Sequence, residues 1–217
     1  MLITNCTLDP SKLGVLAECL DGDPQEGEWA GQLLSMHSVA YSCGILARKQ
    51  DTVVHSHDSE ELKRCQTLAT AAAQVMQGVS IGGSDEGDHT LDPFFIPANS
   101  GDPAPGKIDE KFFRSALRGT LHPKAKIVVE PLAKSSAWWK AVSTVTPDLA
   151  NDPDEKKRVA PWGQLLDWFG QQKELRTPVY IGLEESDDAP ATVHPRFFVG
   201  LTAAGSLVGL VTCVVGT

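Results

Sequence analysis

The apolar positions of the chain predict both strands and helices, and the last 22 residues contain the clearest strands. Two apolar runs, residues 197–199 and Leu207–Val215, flank the small-residue stretch 202–206. Short β-branched and aromatic runs around a turn that contains glycine predict a β-hairpin. The second run is apolar on both faces, which is typical of a strand that is covered on both sides of a sheet. We therefore expect Leu207–Val215 to be an internal strand.

The clearest helix is predicted over residues 58–78. Asp58 is a favourable N-cap residue, and Glu61 three positions later can complete a capping box. An apolar stripe then recurs at helical spacing until Gly78 ends the helix. Its members are Leu62, Cys65, Leu68, Ala69, Ala72, Val75 and Met76. A stripe of this kind predicts a helix face that packs into the core.

Shorter patterns predict the remaining elements. Helices are expected over residues 11–20, 109–117 and 161–169, with Asp109 as the N-cap of the second and Pro161 in the first turn of the third. Strands are expected over residues 94–96, 126–130, 179–183 and 196–201. Residues 29–46 fit a helix or a strand equally well, residues 138–139 fit an amphipathic turn or helix, and residues 147–158 form a charged surface insertion. This order predicts an α/β sandwich whose final strands are largely antiparallel.

Charge is unevenly distributed along the 217 residues. The net charge is −9; residues 1–100 carry 14 acids and 5 bases, whereas residues 101–217 carry 14 of each. An acidic half repels phosphate backbones, so we expect no direct binding of nucleic acid. The same half favours a basic protein partner, although a surface that is only solvated fits the charge equally well.

The cysteine content and the first residues of the chain indicate the cellular compartment. The five cysteines are odd in number and lack metal-ligand spacing, which favours free buried thiols over a disulfide framework; they are Cys6, Cys19, Cys43, Cys65 and Cys213. No apolar window is long enough for a transmembrane helix, and the first residues lack the regions of a signal peptide. We therefore expect a cytoplasmic protein that does not bind a membrane.

Three groups of polar residues are candidates for chemistry. His55 and His57 alternate along an extended segment beside Asp58, which favours a solvated linker over a metal site. The acidic stretch 80–92 lacks the regular order of a calcium loop and predicts an exposed loop. Cys43 and His37 would act as nucleophile and base only if the fold joined them. The sequence thus predicts no enzyme, no metal site of its own and no cofactor.

The last strands resemble the C-terminus of the nuclease A inhibitor family. The resemblance rests on a gapless pattern of aromatic, glycine, threonine and branched residues: Phe197, Val199, Gly200, Thr202, Gly205, Leu207, Gly209, Leu210, Thr212, Val214, Val215 and Thr217. Weaker similarity at residues 108–113 and 162–172 extends it upstream to about residue 78.

The resemblance implies an α/β (α+β) fold, a three-layer αβα sandwich with a mostly antiparallel sheet, over residues 58–217. Residues 1–57 precede the family pattern, and the polar stretch 50–57 marks a candidate boundary. The sequence leaves open whether this N-terminal extension packs on the domain.

The family blocks non-specific DNA/RNA endonucleases of the ββα-metal type, so the resemblance implies a basic, Mg²⁺-dependent nuclease as the protein partner. In the family, an acidic loop motif and the terminal threonine reach the nuclease active site. The acidic position matches Asp85 best and Glu86 second, with Asp88 beside them, and the threonine matches Thr217. Such oxygen groups can mimic a scissile phosphate, because hard divalent cations prefer oxygen ligands.

One position departs from the family pattern. Gly216 occupies the place where the family usually has a glutamate. If that acid contributes to the partner contact, this chain binds more weakly or binds another target. The departure motivates a second hypothesis, in which the chain is a non-inhibitory interaction or effector protein that retains only the fold. A small hydrolase is a third hypothesis.

Overall fold

The structure is a computed structural model that describes residues 2–3, 6–20, 25, 27–49, 55–81, 89–144 and 153–215. The helices are α1 (Ser59–Val75), α2 (Glu110–Ala116), α3 (Ala137–Ser143) and α4 (Pro153–Gln171), preceded by a 3-10 segment (Pro10–Leu20). The short strands are β1 (Leu2–Ile3), β2 (Ser38–Ala40), β3 (Leu46–Arg48), β4 (His57–Asp58), β5 (Ser80–Ile81) and β6 (His89–Thr90). The main strands are β7 (Asp92–Ile96), β8 (Lys126–Pro131), β9 (Arg176–Glu184), β10 (Val193–Leu201) and β11 (Leu207–Val215).

Five strands form the central sheet. Their order is β7-β11-β10-β9-β8, and each neighbouring pair is antiparallel. β11 lies between β7 and β10, and the first seven of its nine residues are buried. The expectation of an internal last strand is therefore confirmed. The chain has an α+β fold with a mostly antiparallel sheet.

Helices α1, α3 and α4 cover one face of this sheet. Leu68 of α1, Trp138 of α3 and Trp162 of α4 belong to one buried apolar cluster. The strands contribute Phe198 and Leu210 to the same cluster, and both are at most 1% exposed. Aromatic and branched side chains on alternate strand positions thus bind the helices to the sheet.

The opposite face packs against α2 and the N-terminal segment. Phe113 of α2 lies against Phe197 of β10, with ring centroids 5.0 Å apart. Leu16 of the 3-10 segment, Leu33 and Ile45 belong to the same buried cluster, and each is at most 1% exposed. The described residues of the predicted extension 1–57 therefore pack onto the sheet and share its core.

The short helix predicted over residues 11–20 is a 3-10 helix, Pro10–Leu20. This stretch is a pair of 3-10 turns joined at Gly14, whose φ of 53° and ψ of −137° are not helical. A Cβ on Gly14 would lie 2.5 Å from Asp92 Oδ2. The carboxylate of Asp92 accepts a hydrogen bond from the Val15 backbone N–H at 2.7 Å, so a tertiary contact overrides the local helical pattern.

Two further element predictions are revised. Residues 29–46, which fitted a helix or a strand, contain turns and strand β2, and β3 begins at Leu46. The predicted helix start at Pro161 is wrong, because α4 begins at Pro153 and Pro161 lies inside it. The helix therefore takes up part of the predicted charged insertion, and Pro153 occupies the first-turn position that suits proline.

The two predicted N-caps are confirmed. The Asp58 carboxylate accepts hydrogen bonds from the backbone N–H groups of Glu60 and Glu61 at the start of α1. Asp109 accepts one from the N–H of Phe112 at the start of α2, and this bond lowers the pKa of the Asp109 carboxyl. Both helices begin where a short polar side chain satisfies free N–H groups.

The expectation of five free cysteines is wrong for one pair. Cys6 and Cys43 form a disulfide, whereas Cys19, Cys65 and Cys213 are free and buried. Backbone pairing between the two segments places the pair together, since Ser42 N–H donates to the Thr7 carbonyl at 2.8 Å. Among the described residues, no helix is long and apolar enough to cross a membrane.

Candidate functional site

The candidate site lies at the end of the central sheet where β11 stops, which we call the β11 end. Val215 pairs there with Val193, the first residue of β10. Strand β9 ends beside them at Glu184, and Glu184 pairs with Lys126, the first residue of β8. Because all neighbouring strands are antiparallel, β7, β8 and β10 begin at this end, and β9 and β11 end there.

The base of the acidic loop also lies at the β11 end. Strands β5 and β6 pair as a small hairpin, Ile81 with His89, and the chain between them is residues 82–88. Both strands pack against β11. Strand β7 follows directly, and its first residue, Asp92, pairs with Val211. The acidic loop therefore leaves and rejoins the fold close to the last residues of β11.

The five predicted partner-binding residues lie outside the described residues. They are Asp85, Glu86, Asp88, Gly216 and Thr217. Their nearest described neighbours in the sequence are His89 and Val215. Both neighbours belong to the β11 end, although they are 126 positions apart in the numbering of the chain. The expected closeness of the acidic loop and Thr217 stays a prediction.

The N-terminal 3-10 segment contacts the base of the acidic loop at the β11 end. Glu18 contacts His89, with Oε2 2.6 Å from Nδ1. Asp92 accepts hydrogen bonds from the Val15 N–H and from the Thr90 hydroxyl at 3.2 Å. These contacts tie His89 and Asp92, at the base of the acidic loop, to the N-terminal segment.

A charged cluster lies on the helical face of the same sheet end. Arg196 Nη2 lies 3.0 Å from Glu184 Oε1, and Arg196 Nη1 donates to the Leu183 carbonyl at 2.6 Å. His194 Nδ1 lies 3.6 Å from the other carboxylate oxygen of Glu184. The side chain of Arg196 is only 14% exposed, so its position is held by packing as well as by charge.

Beside this cluster is an aromatic groove of about 550 Å³, which we call the terminal groove. Trp138 and Tyr180 stack with ring centroids 5.9 Å apart and an interplanar angle of 19°. Trp138 also donates its indole N–H to the Pro131 carbonyl at 3.0 Å, which fixes the ring. The other lining residues include Trp162, Phe198, Glu184, Arg196 and Val214.

Gly182 keeps the terminal groove open. A Cβ at this position would lie 3.0 Å from the Tyr180 hydroxyl and 3.2 Å from Glu184 Oε1. Burial raises the pKa of Tyr180 to about 12, so the phenol stays protonated at neutral pH and offers a hydrogen-bond donor. The groove combines rigid aromatic walls with charged groups at its rim, a combination that suits the anchoring side chain of a protein partner.

The turn of the β10–β11 hairpin lies at the opposite end of the sheet. Its pattern residues have structural roles: Gly205 has a φ of 94°, and a Cβ there would lie 2.6 Å from Pro105. The hydroxyls of Thr202 and Ser206 donate to Glu61 Oε1 at 2.5 and 2.7 Å. Glu61 was expected to close a capping box, and its buried carboxylate holds this turn to α1.

The other candidate groups are separated or occupied. Asp58 caps α1, and His55 Nδ1 lies 3.2 Å from an Arg118 guanidinium nitrogen. Burial first, and the nearby Arg118 charge second, lower the pKa of His55 to about 4. Cys43 is bonded to Cys6, and His37 is exposed. The structure does bring His57 beside Cys6 and Cys43, which no sequence spacing indicated.

No protein-family model and no curated protein matches the chain. Function is therefore inferred from the site and from the resemblance of the last strands to the nuclease A inhibitor family.

Proposed function

We propose that this protein inhibits a metal-dependent, non-specific nuclease by binding over its active site with the β11 end. One observation carries the proposal: the base of the acidic loop and the last described residues of β11 lie at the same end of the sheet. The two segments that the family resemblance assigns to partner binding can therefore reach one target together.

The fold supports this proposal at a second level. The central sheet has a buried cluster on each face, one shared with α1, α3 and α4 and one shared with α2. We propose that this arrangement corresponds to the three-layer αβα sandwich of the nuclease A inhibitor family. The internal position of β11 supports the correspondence, because the family pattern lies mostly on β10, β11 and their turn.

The proposed mechanism is mimicry of the scissile phosphate. Asp85, or Glu86 beside it, would present carboxylate oxygens to the nuclease, with Asp88 adding negative charge. Thr217 would approach the catalytic Mg²⁺ of the nuclease, because Mg²⁺ binds oxygen ligands and substrate phosphates. The inhibitor supplies no metal in this mechanism. It acts as a binding protein and excludes the substrate.

Charge and shape both favour such a partner. Nucleases attract nucleic acid with basic surfaces, and the acidic half of this chain, at −9, complements a surface of that kind. The terminal groove lies beside the β11 end and would receive an apolar or aromatic anchor from the nuclease.

The proposal is tested with cleavage of DNA and RNA by several ββα-metal nucleases. We expect the native protein to inhibit at least one of them and Asp85→Ala to weaken inhibition by about 1–3 kcal/mol. Asp102→Ala is the matched control, since Asp102 is an exposed acid that lines a pocket together with Gly205 at the turn end. Equal inhibition by native and Asp85→Ala proteins would remove this carboxylate from the mechanism.

The terminal groove also supports a second function, a protein-binding module that does not inhibit a nuclease. Gly216, in place of the family's glutamate, favours this alternative. The two functions differ in one outcome: the second predicts no inhibition by the native protein across the nuclease panel, together with a bound protein whose affinity falls when Gly182→Val fills the groove. Inhibition of any nuclease in the panel at a one-to-one ratio would exclude the second function.

A further inference from the structure

Three residues with metal-binding side chains, Cys6, Cys43 and His57, lie close together away from the β11 end. Cys6 precedes the 3-10 segment, Cys43 lies in the turn between β2 and β3, and His57 lies in β4. One ligand atom from each lies within 4.8 Å of the ligand atoms of the other two. Two sulfurs and one imidazole nitrogen are ligands that zinc prefers.

The buried imidazole of His57 is the feature that indicates a bound ligand. The residue is 0% exposed, and neither of its ring nitrogens has a hydrogen-bond partner within the part of the chain that the structure describes. A buried polar atom without a partner is unfavourable and unusual in a folded protein. The Cys6–Cys43 disulfide cannot satisfy an imidazole nitrogen, whereas a metal ion shared with two thiolates can.

Backbone hydrogen bonds hold the segments around the three residues together in addition to the disulfide. Thr7 and Ser42 pair through the Ser42 N–H and the Thr7 carbonyl at 2.8 Å, and Asp9 N–H donates to the Ala40 carbonyl at 2.9 Å. Strand β4, which contains His57, pairs with β1 and leads directly into α1. These backbone contacts do not involve the bond between the two sulfurs.

We propose that Cys6, Cys43 and His57 form a zinc site that is available only when the two cysteines are reduced. A dithiol reductant transfers two electrons and two protons to the disulfide, which gives two thiols and leaves the reductant as its own disulfide. Zinc then binds both sulfurs and one His57 nitrogen and displaces the two thiol protons. The sulfurs separate to about 3.8 Å, the spacing of two thiolates at about 2.3 Å from one tetrahedral zinc ion.

The site has an open side. Cys43 and His57 are buried, whereas Cys6 is only partly buried, so reductant and metal can approach along Cys6. Three protein ligands leave a fourth tetrahedral position for water. The site thus exchanges the disulfide, which joins Cys6 to Cys43, for a metal ion that would also bind His57 of β4.

Cobalt titration of the reduced chain tests the site, since Co²⁺ reports thiolate ligation through charge-transfer absorption. The native protein is reduced, freed of reductant without oxygen and checked for its fold by circular dichroism. We expect one Co²⁺ per reduced chain, displacement by one equivalent of Zn²⁺, and no charge-transfer absorption from the oxidised chain. X-ray absorption of the zinc form should show two sulfur neighbours at about 2.3 Å and nitrogen or oxygen at about 2.0 Å.

Matched variants separate this site from adventitious binding. Cys43→Ser should abolish the cobalt absorption and His57→Ala should weaken binding by at least about tenfold. Cys65→Ser and His55→Ala are the controls, because neither residue belongs to the group, and both should bind as the native chain does. The proposal is overturned if the reduced native chain unfolds, if it gives no thiolate-to-cobalt absorption, or if Cys43→Ser binds like the native chain.

Discussion

Glu61 is the residue on which the organisation of the last hairpin most depends. Its carboxylate accepts hydrogen bonds from Thr202 and Ser206 and lies 2.7 Å from an Arg64 guanidinium nitrogen. Ser206 in turn accepts from the Ala98 N–H at 2.9 Å. One buried carboxylate therefore joins α1, the β10–β11 turn and the segment after β7, and a network of this kind specifies a single arrangement.

We expect Glu61→Ala to lower the free energy of unfolding by about 3 kcal/mol, because two buried hydroxyls lose a charged acceptor. Glu61→Gln keeps one acceptor oxygen and should lose less. Glu60→Ala is the control, since Glu60 is exposed on the same helical turn and its loss should cost less than about 0.5 kcal/mol. Urea unfolding followed by circular dichroism measures all three. A loss for Glu61→Ala no greater than for Glu60→Ala would contradict the network.

At the scale of elements, the β10–β11 hairpin is an example of a structure that local sequence patterns predict. The nine-residue strands, the glycine in the turn and the N-cap residues Asp58 and Asp109 act through their own neighbours in the sequence. Features that depend on distant contacts were not predicted. Gly14 breaks the first segment because Asp92, 78 positions later, approaches it, and no periodicity contains that information.

The close pairing of the two strands makes Gly209 sensitive to substitution. A Cβ on Gly209 would lie 1.9 Å from the Phe198 carbonyl oxygen. We expect Gly209→Ala to destabilise the protein by about 3 kcal/mol or more, since backbone atoms must move.

Gly163→Ala is the matched control for this substitution. Gly163 lies in α4, and the nearest atom to a methyl group added there is 4.0 Å away, on Trp139. We expect this change to stabilise the helix by about 0.5–1 kcal/mol. Thermal unfolding compares the two variants, and a Gly209→Ala midpoint equal to that of the native protein would contradict the strand packing.

At the scale of the whole molecule, the N-terminal residues are part of the main core. Leu16 and Leu33 are buried in the cluster that contains Phe197, and Leu13 packs against it. Trp29 contacts His122, with ring centroids 4.7 Å apart. The sequence alone does not show whether residues 1–57 pack on the sheet. The family pattern starts after these residues, and their apolar positions have no periodicity that identifies the surface they contact. The Cys6–Cys43–His57 group was not predicted either, because no sequence spacing indicates that these three residues lie together.

The predicted boundary after residue 57 is tested by truncation. We expect removal of residues 1–57 to give an insoluble or unfolded chain, since the lost buried side chains contribute about 1.5–3 kcal/mol each against a typical total stability of about 5–15 kcal/mol. Soluble yield and circular dichroism measure the outcome.

Two substitutions within the same segment make this test independent of truncation. Leu16→Ala should cost about 2–5 kcal/mol, because Leu16 is 1% exposed. Leu8→Ala should be close to neutral, because Leu8 is 57% exposed. A stable, folded fragment 58–217 together with a neutral Leu16→Ala would show that the N-terminal segment is a separate extension.

The central claim is that the β11 end binds over a nuclease active site. Its most direct test is inhibition of a ββα-metal nuclease by the protein carrying a short Gly-Ser tail after Thr217. The same Gly-Ser residues inserted between Gly106 and Lys107 serve as the control, because both positions are exposed and a side chain on Gly106 would meet no atom within 4 Å. We expect both proteins to keep the native circular dichroism spectrum, the control to inhibit like the native protein, and the tailed protein to lose inhibition. Equal inhibition by the tailed and native proteins would contradict the claim.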